Sequence, residues 1–233
     1  MVGSAGGIAS LISYPVLLAV GLPALPANVA DTVASVACLP GSALGSRPEL
    51  QRQGQRVLRL APLALAGSGA GAVLLLLTPG GVFSRIVPFL VAFPALVLLI
   101  QPRISAWLEK HPSKSGRFLS PFALFAVWVY QGYWGVGVGI MTLTVITLAV
   151  EAHLPRANAL KNVLLGMADA ACSAVFILYG PVRWAAVLPL AAGFLAGSGV
   201  GPSLARRVPG NVLRVAVALG GLGLAVYLWL NPS

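Results

Sequence analysis

Apolar runs, each about as long as a membrane is thick, follow one another along nearly the whole chain. They cover about residues 5 to 21, 27 to 46, 58 to 79, 83 to 101, 118 to 150, 157 to 180, 185 to 203 and 211 to 230, with polar residues confined to the short breaks between them. A hydrocarbon core about 30 Å thick takes about 20 helical residues to cross. Seven of the runs therefore predict one helical span each, or slightly less. The run from 118 to 150 has 33 positions, enough for a helix of about 50 Å. Its middle reads Tyr130-Gln131-Gly132-Tyr133-Trp134-Gly135-Val136-Gly137-Val138-Gly139, and each glycine there lowers helix propensity by about 1 kcal/mol relative to Ala. This predicts two half-helices, about 119 to 131 and 140 to 150, joined as a re-entrant hairpin that enters and leaves by one face. Non-helical backbone at that depth must be satisfied by protein or by a wet cavity.

Composition agrees with the pattern. Of 233 residues 58% are hydrophobic and 9% charged, with a mean hydropathy of +0.91, against about 25% charged in a soluble domain. The chain reads as an all-α, polytopic transmembrane protein, multi-pass in the inner (plasma) membrane. Its loops are too short to fold into a soluble catalytic domain, which excludes most cytosolic enzyme classes. The net charge of +10 does not point to nucleic acid, because the basic residues sit in short loops between apolar runs; the lipid bilayer is the partner they imply. Cys38 and Cys172 lie inside apolar runs, without the spacing of a disulfide framework or a metal site. His111 and His153 stand in loops with no ligand set around them, and no P-loop or nucleophile–base pair is visible, so no metal, cofactor or catalytic residue is expected. Met1 lacks a charged n-region, so no cleavable signal peptide is expected.

The sequence is internally repeated. Leu18-Ala19-Val20, Leu25-Pro26 and Ala27-Asn28-Val29-Ala30-Asp31-Thr32-Val33 match Leu148-Ala149-Val150, Leu154-Pro155 and Ala157-Asn158-Ala159-Leu160-Lys161-Asn162-Val163 at an offset of 129 to 130. Gly67, Gly69 and Gly71 in one half are matched by Gly193, Gly197, Gly199 and Gly201 in the other; most of these are expected to serve close helix packing. Mapping the second-half hairpin backwards puts its first-half copy near position minus 12, so about a dozen residues of the first half-hairpin are expected to be missing from this sequence, either because the start codon is misassigned or because the half-helix has been lost. Charge sidedness tests the hairpin. A single crossing by residues 118 to 150 divides the 15 basic residues nine to six, whereas a re-entrant segment leaves only Arg85 and Arg183 on one face and gathers 13 on the other. The positive-inside rule prefers the second arrangement. Each half is then a broken, re-entrant hairpin plus three spans, and an odd number of spans makes the two repeats inverted, a recurring transporter plan. The expected organisation is a first transmembrane repeat over 1–104, a basic cytoplasmic linker over 105–117 and a second repeat over 118–233.

At these residues the sequence resembles the sulfite and sulfonate exporter family TauE/SafE. The carriers are Gly3-Ser4-Ala5-Gly6-Gly7 with Pro15, Gly21-Leu22-Pro23 with Asn28 to Val33, Gly135 to Gly139, Arg156 to Val163 and the stretch from Gly197 to Arg207. The resemblance spans essentially the whole chain and implies a permease for small sulfur-containing or carboxylated anions. Two features depart from the family pattern: the missing half-helix, and Asp31, where such members more often carry a neutral Asn or Thr.

Ionisable residues inside spans mark functional sites, and three stand out: Asp31, Lys161 at the matching place in the other half, and Asp169 two turns further along. The repeat would bring Asp31 and Lys161 to related positions, as an ion pair or a shared polar site, unless both sit at the membrane boundary. A small anion needs positive potential without a deep trap, which half-helix N-termini and backbone N–H groups supply. Ser4, Gly6 and Gly7 in one hairpin and Gly135, Gly137 and Gly139 in the other are the candidate tips, with Asn28, Thr32, Asn158 and Asn162 as neutral donors. Tyr130, Tyr133 and Trp134 flank the second tip as pore lining or as filler. The sequence thus predicts a permease that exports or exchanges small anions by alternating access, and it is compatible with a homo-oligomer. The competing readings are a membrane-embedded enzyme with a Cys38 or Cys172 nucleophile and a non-transporting partner subunit of a sulfur-metabolism enzyme.

Overall fold

The structure, a computed structural model, describes residues 5–40, 47–50, 53–110, 120–151, 153–205 and 210–230. Every regular element among them is helical: α1 (Ala5–Ala19), α2 (Ala24–Ser35) with a 3-10 turn (Val36–Cys38), α3 (Arg47–Leu50), α4 (Gly54–Leu77), α5 (Gly80–Lys110), α6 (Ser120–Tyr133), α7 (Val138–Ala149), α8 (Leu154–Tyr179), α9 (Trp184–Ala205) and α10 (Gly210–Leu230). With 24 and 26 residues, α4 and α8 are long and apolar enough to cross a bilayer. Their outward surfaces are apolar too. Leu58, Leu77, Leu178 and Tyr179 are each more than 70% exposed, a surface that suits lipid and not water. The chain is a multi-pass membrane protein.

The 33-residue apolar run is two helices. Trp134 and Gly135 donate back to the Tyr130 carbonyl at 2.8 and 3.3 Å, closing α6, and the chain turns through Gly135 and Gly137, both at φ +78°. That left-handed conformation is where an L side chain is strained and glycine is not. The broken backbone is satisfied from outside the run, since Asn28 Nδ2 on α2 donates to the Tyr133 carbonyl at 3.2 Å.

Close approach fixes where this hairpin lies. A Cβ on Gly71 would stand 2.0 Å from the Val129 carbonyl oxygen, and one on Gly132 1.9 Å from that of Ser68; only glycines let α4 and α6 come this near. Gly67 meets Trp128 and Gly71 meets Gly132, so α6 runs alongside α4 in the same direction. At the other end of the hairpin Glu151, just after α7, pairs with Arg56 near the start of α4. The hairpin begins and ends at the same end of the bundle. Gly67 and Gly71 pack as the sequence suggests, whereas Gly69, Gly193 and Gly197 face open space; the surroundings of Gly199 and Gly201 lie outside what is described.

Helix boundaries recur at a spacing of 130 residues: Ala19 and Ala149 end α1 and α7, Ala24 and Leu154 begin α2 and α8, Gly54 and Trp184 begin α4 and α9, and Gly80 and Gly210 begin α5 and α10. The counterparts α2 and α8 run antiparallel, because Ser173 Oγ donates to the Thr32 carbonyl at 3.3 Å while Gly166 packs on Leu39, just past the 3-10 turn that follows α2. Val16 and Phe194, which line an open apolar groove between α1 and α9, stand 130 residues from Ile146 and Ala64, which pack against Leu124 and Trp128 of α6. Nothing among the described residues fills that groove as α6 fills its own bed. Residues 105–110 of the expected linker are helical, as the end of α5, and 111–119 lie outside the described residues.

Two apolar clusters hold the bundle. One gathers Ala64, Leu124, Trp128, Ile146, Leu160, Leu164 and Ala168, and the other Tyr14, Val29, Leu75, Phe83, Trp134, Cys172 and Phe176. Between them, on α4, α6 and α8, stand Ser68, Gln131 and Asp169. This polar layer has no energetic reason to exist in a purely structural core.

Candidate functional site

Breaking the long run plants a helix N-terminus inside the protein. Val138, the first residue of α7, is 3% exposed, and the preceding Gly137 provides no side-chain cap. The first N–H groups of a helix have no intrahelical acceptor, and they sit at the positive end of its dipole. Two side chains reach this end, Leu165 and Lys161: a Cβ on Gly139 would have Leu165 Cδ1 and Lys161 Nζ each at 3.9 Å, and of the two only Lys161 carries charge. Lys161 is only 4% exposed, so it does not reach the headgroups in this conformation. One turn along α7, the fully buried Thr142 hydroxyl has no hydrogen-bond partner, and neither has the buried Asn158 Oδ1 one turn before Lys161 on α8. A helix N-terminus, an ammonium and unmatched polar atoms come together here, the kinds of group that bind a small anion with several oxygens elsewhere.

Of the acidic candidates, Asp169 stands in the polar layer and Asp31 beside the serines of α1. Asp31 is buried and held by Ser13 Oγ, with Ser10 as a second hydrogen-bonding neighbour. Asp169 accepts from Gln131 Nε2 at 2.5 Å and also neighbours Ser35. Their charges interact through the interior, and Cys38 and Cys172 also lie within reach of the Asp169 charge. The structure thus sets Asp31 among serines and toward Asp169, and sets Lys161 beside Gly139.

Several expected donors face backbone. Asn28 bonds the Tyr133 carbonyl, and Thr32 Oγ1 donates to the Asn28 carbonyl at 3.0 Å. Gly135 and Gly137 shape the turn, while Gly139 makes room beside Lys161. Asn162 is partly buried on α8, and Gly6 and Gly7 lie in the first turn of α1, the counterpart of α7; Ser4 lies outside the described residues. Tyr130 Oη donates to the Val136 carbonyl at 3.1 Å, bracing the turn, and Trp134 is 1% exposed. The Cys172 thiol donates to the Ser68 carbonyl at 3.4 Å, a packing role. Sequence reasoning passed over Gln131, Ser13, Ser10 and Thr142. A lone amide in an apolar run was a signal for Gln131; hydroxyls in helices carry none, since they bond their own backbone readily.

Outside the spans, Glu151 joins the two halves at one end of the bundle. Burial opposes its charge, but hydrogen bonds from Arg56 and the His153 N–H, with the Arg56 and Arg156 charges, outweigh it and hold the carboxyl below its ordinary value.

Comparison with known proteins agrees with this architecture. The family model described as "Sulfite exporter TauE/SafE" matches residues 1–228. A probable membrane transporter protein of Haemophilus influenzae is 29% identical over 225 residues, covering 92% of this chain and 84% of its own. A probable membrane transporter protein, ORF9, of a Sinorhizobium species is 26% identical over all of this chain and 88% of its own. The probable membrane transporter protein YfcA of Escherichia coli K12 is 25% identical over 94% of this chain and 81% of its own. No solved structure matches.

Proposed function

The chain belongs to the sulfite exporter TauE/SafE family, and from that premise we propose that it is a permease exporting or exchanging small anions, such as sulfite, sulfonates like sulfoacetate, or related organic acids, by alternating access. The observation that carries this reading is the buried start of α7 with Lys161 beside it. An oxyanion there meets N–H groups and an ammonium together, which hold it by charge-assisted hydrogen bonds. Because the dipole end and the lysine are each partial solutions, neither makes a permanent trap. In this reading the two halves are inverted repeats that rock about the site, which the 130-residue spacing of helix boundaries and the antiparallel course of α2 and α8 support. Outward movement of an anion from a negative interior is favourable by about 2.3 kcal/mol per charge per 100 mV, so a net efflux needs no ATP. The cysteine chemistry that an embedded enzyme would need finds no support in Cys172, whose thiol packs against backbone.

The test is efflux of sulfite, sulfoacetate, an alkyl sulfonate and a short dicarboxylate from proteoliposomes containing the purified chain. Saturable efflux of at least one of them is expected; efflux equal to that of protein-free vesicles for the whole panel rejects the reading.

A further inference from the structure

Resting on the permease reading, we propose that Asp169 carries a proton through the transport cycle, with the Gln131 amide as the group that senses whether the carboxyl is charged. Gln131 is 4% exposed, and its Nε2 lies 2.5 Å from Asp169 Oδ1, yet its Oε1 is buried without any hydrogen-bond partner. Leaving such an atom unmatched costs about 1 to 3 kcal/mol, so a merely structural amide is an expensive choice between two apolar clusters. The chemistry explains it. A carboxylate accepts from the amide N–H, and a carboxylic acid donates to the amide oxygen; half a turn of the amide serves both. Ser35 has the same ambivalence: its hydroxyl donates to the Thr32 carbonyl at 2.7 Å, which leaves it lone pairs to receive an Asp169 O–H, and rotation of the hydroxyl serves the carboxylate instead.

The neighbours favour a proton as the ligand. Asp31 on α2 is a second carboxylate in electrostatic reach, Cys38 follows it on the 3-10 turn, and Cys172 lies on Asp169's own helix. The α7 helix contributes no titratable side chain, and Arg56, Arg59 and Glu49 belong to the distant end of the bundle where Glu151 sits. Lys161 stands two turns away, about 12 Å along α8. Two negative charges in a low-dielectric interior repel strongly, and binding one proton relieves them. The step is a simple balance: a proton from one aqueous face binds the Asp169 carboxylate, and the same proton leaves to the other face after the halves have moved, with no other bond made or broken.

The experiment uses the full chain in proteoliposomes and a permanently charged alkyl sulfonate, methanesulfonate. Accumulation driven by a pH gradient and gradient-free exchange of labelled for unlabelled anion are measured for wild type, Asp169→Asn and Gln131→Leu. We expect Asp169→Asn to lose the gradient-driven accumulation entirely while still exchanging labelled for unlabelled anion at a measurable, reduced rate, and Gln131→Leu to move the pH midpoint of that accumulation. Wild-type accumulation in Asp169→Asn, an unmoved midpoint in Gln131→Leu, or a sodium gradient replacing the pH gradient overturns the proposal while leaving the permease standing. Absence of exchange by the wild type removes the permease reading and this proposal with it.

Discussion

Asn28 on α2 donates its side-chain amide to the carbonyl of Tyr133, at the point where α6 stops. Through this bond a residue of the first half satisfies the broken backbone of the second, inside a bundle where water is scarce. Replacing Asn28 by Leu keeps the branched shape of the side chain and strands the carbonyl, which should destabilise the protein by about 1 to 3 kcal/mol. The check is the thermal midpoint in detergent, expected to fall for Asn28→Leu; an unchanged midpoint means that the bond is not needed to hold the turn.

The α4–α6 crossing makes a sharper stability prediction. Gly71→Ala and Gly132→Ala each place a methyl about 2 Å from a backbone oxygen of the other helix, so both should sharply reduce the yield of monodisperse protein. Gly69→Ala, which meets nothing within 4 Å, should be neutral or stabilising by up to about 1 kcal/mol through helix propensity. Size-exclusion profiles and melting curves of the three variants separate a packing stripe from a general intolerance of side chains.

The two glycines at the start of α7, Gly137 and Gly139, should divide by role. Gly137→Ala combines a φ of +78° with a Cβ 2.5 Å from Pro94 Cβ, and should destabilise the fold by more than the about 1 to 2 kcal/mol of left-handed strain alone. Gly139→Ala has no neighbour nearer than 3.9 Å, one of them Lys161 Nζ. It should melt like the wild type and transport several-fold more slowly, because its methyl occupies the space assigned to the anion. Equal melting and equal flux would place the anion elsewhere.

Glu151 and Arg56 supply the pH-dependent part of stability. The Glu151 carboxyl is held below its ordinary value of 4.5, so its contribution is complete above that value and disappears as pH falls through the lower, folded-state value. Arg56 is 43% exposed on its side chain, which limits the pair to no more than about 1 kcal/mol. The difference in melting temperature between wild type and Glu151→Gln should be small and positive at about pH 7 and should fade as the pH falls below 4.5 through the lowered, folded-state value.

How much of this was legible beforehand depends on the residue. The four glycines between Gly132 and Gly139 announced the break, and the structure places the half-helices at Ser120–Tyr133 and Val138–Ala149, within two residues of the expected bounds. Asp31, Asp169 and Lys161 were conspicuous because charge in an apolar run is costly wherever the run folds. Their partners were not. Ser13, Ser10, Ser35 and Thr142 look like ordinary small helical residues until the neighbouring helix is known; Asn28, expected to face substrate, donates to the open Tyr133 carbonyl of the broken run, and Thr32 donates to the carbonyl one turn back on its own helix. Pairing across helices depends on crossing geometry, which hydropathy does not encode.

Passage of an anion between the start of α7 and Lys161 is tested most directly by sulfite and sulfonate efflux from proteoliposomes carrying Lys161→Met or Lys161→Arg, with melting temperatures recorded alongside. Charge-assisted hydrogen bonds of about 1.5 to 3 kcal/mol predict a loss of about tenfold or more for Lys161→Met at an unchanged melting temperature, with partial recovery for Lys161→Arg. Wild-type efflux by a well-folded Lys161→Met protein would contradict it.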